Sequence, residues 1–187
     1  MSYWDDRYTS IKQGNPNSMR WDGVTDLDNK IFDIIMAIDD RVYDSCLDFG
    51  CGTGNKADFI HDYFGVHDYK GCDVSKVATD EAKIKGLEIV DSIEQIKSVD
   101  MIWCYLSLQH IMDDGEFIDT ICKFREKLNS GGVLYVIDNV SAKSDLSYIR
   151  FRLAEEHEKV YTACGFEESA SAIITAGDEV VKIWRLV

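Results

Sequence analysis

The chain is short of several things, and each shortage removes a class of function. It has one proline, four histidines and six cysteines, with no Cys-x-x-Cys pair. Neither the histidines nor the cysteines fall at metal-ligand spacing, so no zinc or other metal site is expected. The cysteines are scattered, mostly inside apolar segments, and read as reduced core thiols of a cytoplasmic protein instead of a disulfide frame. No apolar run approaches the roughly 18 residues of a membrane span. The start, Met1-Ser2-Tyr3-Trp4-Asp5-Asp6-Arg7, lacks the basic-then-apolar order of a secretion signal. Basic residues are also few: 20 Lys and Arg stand against 34 Asp and Glu, for a net charge of −14. Such a surface repels a phosphate backbone, so no nucleic-acid partner is expected. The excess acid serves solubility, or else it favours a cationic or neutral acceptor. Repeats, linkers and low-complexity tracts are missing too. The 187 residues, 45% of them hydrophobic, fit one domain over 1–187, with residues 1–24 as a possible N-terminal lid.

What is present is organised around Cys46-Leu47-Asp48-Phe49-Gly50-Cys51-Gly52-Thr53-Gly54-Asn55. An apolar strand ends in an acid, a loop with three alternating glycines follows, and Ala57, Phe59, Ile60, Tyr63 and Phe64 then open a helical pattern. Glycines in such a turn allow positive φ and close approach of a ligand to bare backbone. A dinucleotide site needs Gly-x-Gly-x-x-Gly, and a phosphate loop needs Gly-Lys-Ser/Thr; neither is found. Asp48 would repel a pyrophosphate and attract an ammonium.

Strands and helices alternate along the rest. Tyr3, Trp4, Tyr8 and Trp21, with Arg7 and Arg20, form either a lid over a ligand or a plug for the core edge. Gly14-Asn15-Pro16-Asn17 is a turn signal. A helix is expected over 25–38, capped by Thr25 or Asp26. Strands are expected over 45–49, at Tyr69–Asp73, at Leu87–Val90 and at Val99–Tyr105, the last apolar enough to be covered on both faces. Asp73 lies 23 residues past Gly50. An acid there accepts from ribose hydroxyls, or else caps the next helix, for which Ser75 is the other cap. Asp91-Ser92-Ile93 makes a turn in which Asp91 is also a good N-cap. Ligands of open α/β sheets sit outside the carboxyl ends of the strands, which puts Cys104, Tyr105 and His110 at the mouth. Asp114 should cap a helix reaching Leu128, stopped by Asn129-Ser130-Gly131-Gly132. A strand at Val133–Ile137 ending in Asp138-Asn139, a helix over about 145–163 and a terminal hairpin over 167–174 and 179–187 complete the pattern.

The stretch Leu47-Asp48-Phe49-Gly50-Cys51-Gly52-Thr53-Gly54 resembles the first motif of the S-adenosylmethionine-dependent methyltransferases of Rossmann-like fold. The resemblance implies a three-layer α/β fold: about seven strands, mostly parallel, with an antiparallel C-terminal strand and helices on both faces. It implies S-adenosylmethionine as cofactor and S-adenosylhomocysteine as product. It also implies cofactor contacts from Trp4, Arg7 and Tyr8 on the methionine side, and from Asp48 near the methionine amine. Gly50, Cys51 and Gly52 would line the loop, Asp73 with Val74 the ribose, Asp91-Ser92-Ile93 the adenine, and Cys104 with Tyr105 the mouth. From strand four on, Asp100-Met101-Ile102-Trp103, Gln109-His110-Ile111, Gly132 through Asn139, Asp145 with Arg150, and Gly177-Asp178-Glu179-Val180 resemble the protein N-terminal α-amine methyltransferases. That likeness implies His110, Asn139 and Asp145 around an acceptor amine, on a peptide or a small molecule. The segment between Asn139 and Asp145 is shorter than in that family.

Overall fold

The computed structural model describes residues 3–13, 26–143, 146–177 and 179–187. Its helices are α1 (Tyr3–Lys12), α2 (Asp26–Ile38), α3 (Ala57–Phe64), α4 (Lys76–Ile84), α5 (Asp114–Lys127) and α6 (Ala154–Ala163). Its strands are β1 (Ser45–Phe49), β2 (Asp68–Cys72), β3 (Val99–Tyr105), β4 (Leu128–Asn139), β5 (Glu168–Ala176) and β6 (Glu179–Leu186). They form one sheet in the order β2-β1-β3-β4-β6-β5. β1 pairs in parallel with β2 and β3, and β3 with β4; the β5–β6 hairpin joins β4 antiparallel through β6.

Side chains alternate across the sheet with the two-residue strand period. Met101 and Trp103 of β3 face α2 and α3, where Ile31, Ile35, Ile60 and Phe64 pack on them. Ile102 and Cys104 face α5 and α6, against Phe117, Ile121, Phe124 and Tyr161. Coverage on both faces explains why β3 reads as an unbroken apolar run. Among the described residues no helix is long and apolar enough to cross a membrane.

Several expectations need correction. The sheet has six strands, because Leu87–Val90 forms only a bridge from Ile89 to Gly71 before the chain turns into the 3-10 turn Ile93–Gln95. Asp113, not Asp114, caps α5, its carboxylate accepting the Glu116 N–H at 2.8 Å. The Asn129–Gly132 stop signal lies inside β4, which starts directly after α5. α6 begins at Ala154, since the segment before it is held against the mouth of the sheet. The cysteines are not all reduced. Cys122 on α5 and Cys164 at the end of α6 form a disulfide with Cα atoms 4.9 Å apart, while Cys46, Cys51, Cys72 and Cys104 are free and buried. Neighbouring helices on one sheet face bring that pair together, and spacing along the chain does not reveal it. Thr25, as a cap of α2, lies outside the described residues.

Candidate active site

The turn after β1 is fastened to the end of β2. The N–H groups of Gly50 and Cys51 both donate to the Cys72 carbonyl, at 2.8 and 3.1 Å. Gly50 and Gly52 take φ of 77° and 54°. A methyl at Gly50 would lie 2.4 Å from Ser107 Cβ, and one at Gly52 2.5 Å from the Tyr8 hydroxyl. Both glycines are therefore required by conformation and by space. The Cys51 side chain turns away toward Gly71 and leaves its backbone to the mouth. Lys85 clasps the loop from behind, donating to the Thr53 carbonyl at 2.8 Å and to Asn55 at 2.9 Å.

Two acids stand under this loop. Asp48 is buried and accepts the Tyr69 hydroxyl at 2.7 Å. Burial lifts its pKa to about 7; the Tyr69 bond and Lys56 pull it down, and Asp73 pushes it up. The Asp73 carboxylate accepts N–H groups from Gly52 at 2.9 Å and Ser75 at 2.8 Å. Burial raises its pKa, while those two donors oppose the rise. Ser75, not Asp73, is the side-chain cap of α4. Bare backbone over an acid suits a ligand with ribose hydroxyls to donate and an amine to offer. A diphosphate would meet two carboxyl groups. The donor set thus fits the S-adenosyl nucleoside.

α1 lies across the mouth, and none of its residues is buried in the core. Its Asp5 accepts the Ser75 hydroxyl at 2.9 Å and the Val77 N–H at 3.1 Å, and Lys12 pairs with Glu81 at 3.1 Å. Thus anchored on α4, it sets Tyr8 over Gly52 and the Trp4 ring edge-on to His110, with centroids 4.4 Å apart. Tyr3 stacks on Tyr148 at 4.8 Å, and Arg7 bonds Tyr3. Residues 3–13 lie over the mouth of the sheet; Trp21, Arg20 and the turn at 14–17 lie outside the described residues.

His110 closes the 3-10 turn Leu108–His110. Its Nδ1 is 2.7 Å from the Tyr148 carbonyl oxygen. A carbonyl only accepts, so Nδ1 carries the proton and Nε2 keeps its lone pair. Burial lowers the His110 pKa and Arg7 lowers it further, against the Tyr148 bond. The ring is neutral at pH 7.

Other expected residues fall as follows. Tyr105 sits at the end of β3, its hydroxyl bonded to Asp28, with the Lys56 amine 4.7 Å over its ring. Cys104 does not line the mouth: its side chain points into the α5–α6 core and is fully buried, because strand alternation turns it away from Tyr105. Val74 is exposed beside Asp73. At the adenine corner Asp91 is exposed, Ser92 half-buried and Ile93 buried. Asn139 is engaged at both ends, accepting the Ser141 N–H at 2.9 Å and donating to Glu179. Asp145 lies outside the described residues.

Sequence reading gave no role to Asp5, Lys56, Tyr69, Lys85, Ser107 and Gln109, of which only Gln109 lies within a quoted motif. Leu106, at φ 53°, is the one non-glycine with positive φ among the described residues, and it carries the chain from β3 into the His110 turn. A separate hollow of about 500 Å³, lined by Met36, Asp39, Arg41 and Arg185, lies at the end of α2. Of its two acids Asp40 is exposed, and Asp39 is already saturated, accepting Tyr43 at 2.5 Å, Tyr135 at 2.7 Å and Arg185 at 2.7 Å. The chemistry belongs to the mouth.

Residues 47–136, from β1 through most of β4, match the family model described as a methyltransferase domain. Fold, loop and this match, which spans 90 of the 187 residues, support an S-adenosylmethionine-dependent methyltransferase with S-adenosylmethionine as its cofactor. Among solved structures, an S-adenosylmethionine-dependent methyltransferase from Leishmania major aligns with TM-score 0.75 at 15% identity, over 97% of this chain and 80% of that one. The N-methyltransferase NodS from Bradyrhizobium japonicum, in complex with S-adenosylhomocysteine, aligns at 0.73 and 17% identity, over 97% and 98%. Magnesium protoporphyrin IX methyltransferase from Synechocystis aligns at 0.72 and 14%, over 98% and 97%. These likenesses establish the fold. A search of curated proteins finds no match.

Proposed function

We propose that the enzyme methylates an amine, on a peptide N-terminus or on a small molecule. The observation that carries this reading is the placement of a neutral imidazole under the same helix that covers the glycine loop. Trp4 touches His110 and Tyr8 lies over Gly52. Four helical residues rise about 6 Å, so base and loop stand roughly one turn apart.

When bound, the cofactor supplies an activated methyl group on a sulfonium. The chain has to hold it, align an acceptor and take a proton. The Gly50–Gly52 backbone, Asp73 with Val74 and the Asp91-Ser92-Ile93 corner hold the nucleoside; Asp48, Trp4, Arg7 and Tyr8 surround the methionine part. Alignment alone is worth up to about 7–11 kcal/mol, so no covalent catalyst is needed. An α-amine has a pKa near 8, so a weak base suffices. His110 Nε2 takes the ammonium proton. Asp145 draws the cation in, and Asn139 braces the end of β4. An acidic surface favours a cationic acceptor over a nucleic acid.

The test pairs calorimetry with mass spectrometry. The protein should bind S-adenosylmethionine and not NAD, and should add about 14 Da to amine-bearing peptides or metabolites. By the usual worth of general-base catalysis, His110→Ala should cut turnover about 100-fold or more with cofactor binding intact. Unchanged turnover in that variant removes His110 from the chemistry, and methylation confined to hydroxyl or carboxyl acceptors refutes the amine.

A further inference from the structure

One polar cluster at the mouth has no part in the reaction outlined above. It lies on the α2–α3 face of the sheet. Tyr105 packs on that face, with its ring stacked on Trp103. Asp48 shares the face, since Cys46, two residues earlier in β1, is buried there. Asp48 stands opposite Trp103 in the register, and Tyr105 lies two residues farther on, about 7 Å closer to the open edge. Lys56 reaches this corner from the residue just before α3, two positions after Gly54. Its ammonium donates to Asp28 at 2.8 Å and lies 4.7 Å over the Tyr105 ring and 5.7 Å over the Phe32 ring. Asp28 also accepts the Tyr105 hydroxyl. Both charges are largely out of water, with the Asp28 side chain 5% exposed and that of Lys56 14%. Desolvation at such depth offsets most of the attraction, so the pair adds little net stability. Asp28 is the one hydrogen-bond partner of the ammonium among the described residues, which leaves two of its three N–H bonds uncommitted.

We infer that Lys56 binds the carboxylate at the amino-acid end of the cofactor, with Asp28 and Tyr105 as positioning residues that hold it in place. This rests on S-adenosylmethionine as the cofactor. The methionine end of that molecule is a zwitterion, so its site needs an acid for the ammonium and a cation close by for the carboxylate. Asp48 supplies the acid, with Tyr69 holding one of its oxygens at 2.7 Å. Lys56 supplies the cation. It follows the glycine loop directly, and its charge acts on Asp48. Arg7, the cation on α1, acts on Tyr3 and His110 instead, which places it toward the acceptor. The rings of Tyr105 and Phe32 attract the ammonium through their faces and keep the lysine stem from swinging out to solvent. Without Lys56, a carboxylate in this corner would meet Asp28 and Asp48 with nothing to offset them.

The test compares two ligands by calorimetry: S-adenosylhomocysteine, and its decarboxylated analogue, which keeps the amine, the sugar and the base. The wild-type protein should prefer S-adenosylhomocysteine about 10- to 100-fold, the worth of a hydrogen bond between charged groups. Lys56→Met should abolish that preference, lowering affinity for S-adenosylhomocysteine by the same factor and leaving affinity for the analogue unchanged. Lys56→Arg, which keeps the charge, should retain most of the preference. Lys56→Met leaves Asp28 without its counter-ion. If that variant fails to fold, Lys56→Met combined with Asp28→Asn takes its place, because it removes both charges and still offers the Tyr105 hydroxyl an acceptor. A lysine that only braces α2 against α3 would weaken both ligands alike in these variants and leave the preference intact, and that result overturns the inference. A preference that survives Lys56→Met and vanishes in Arg7→Met overturns it as well, as does equal binding of the two ligands by the wild type. A wild-type protein that binds neither ligand would instead overturn the cofactor reading beneath it.

Discussion

The Asp73 carboxylate accepts the backbone N–H of Gly52 at 2.9 Å, across 21 residues of sequence. One acid therefore braces the glycine loop and would also offer a carboxylate beside it for a ribose. Asp73→Ala should weaken S-adenosylmethionine binding about 10- to 100-fold, the worth of one or two hydrogen bonds to a charged group. Isothermal titration of the variant measures this directly. A change of less than twofold would remove Asp73 from the binding site.

Gly52→Ala should be costly twice over. The left-handed conformation at φ 54° costs about 1–2 kcal/mol for a residue with Cβ, and the new methyl would lie 2.5 Å from the Tyr8 hydroxyl. The Tyr8 ring carbon lies farther off, at 3.5 Å from that methyl position. Adding Tyr8→Phe to Gly52→Ala should therefore recover the part of the lost affinity that comes from the clash. The strain remains in the double variant, so recovery should be partial. A double-mutant cycle on binding gives the coupling.

Asp48 ties stability to pH. Its folded pKa of about 7 lies well above the unfolded value of 3.8. Between those limits the folded state holds a proton that the unfolded state has released, so its share of stability is complete below about pH 4 and is lost as pH rises through 7. Asp138, also near 7, acts in the same direction, while the buried His157, lowered to about 3, acts in the opposite direction between about pH 3 and 6.5. The clean observable is a difference. Relative to the wild type, Asp48→Asn should gain stability on going from pH 4 to pH 8, by about 4 kcal/mol at most. Denaturant midpoints of both proteins across that range decide it.

The Cys122–Cys164 bridge closes a loop of 42 residues between α5 and the end of α6. Loop closure on that scale is worth up to about 4 kcal/mol. Dithiothreitol, or Cys122→Ala with Cys164→Ala, should lower the melting temperature, and the oxidised protein unfolded without reductant should titrate as four thiols. Six thiols would show that the bridge does not form.

The order of elements and the loop were legible because they follow from short-range pattern. β3 announced itself by an apolar run, the glycines by following β1 and Ser75 by following β2. What failed depended on distance in the chain. The strand expected at Leu87–Val90 needed a neighbour long enough to pair with, and it meets only Gly71. The disulfide needed two helices packed side by side. Cys104 was assigned to the mouth from its place at a strand end, although the alternation that put Tyr105 outward turns Cys104 inward. Asn139 was named from a resemblance, and its bonds to Ser141 and Glu179 are local facts no motif carries. Asp5 was invisible for the same reason: its partners, Ser75 and Val77, lie 70 and 72 residues away.

Because Tyr8 and Trp4 belong to one short helix, neither can shift without the other. On the proposed function, a nucleoside at Gly52 would meet Tyr8 and an acceptor at His110 would meet Trp4. Linkage makes that bargain symmetrical: each ligand alters the affinity for its companion by the same factor. On that function, α1 would be the one element that touches both half-sites.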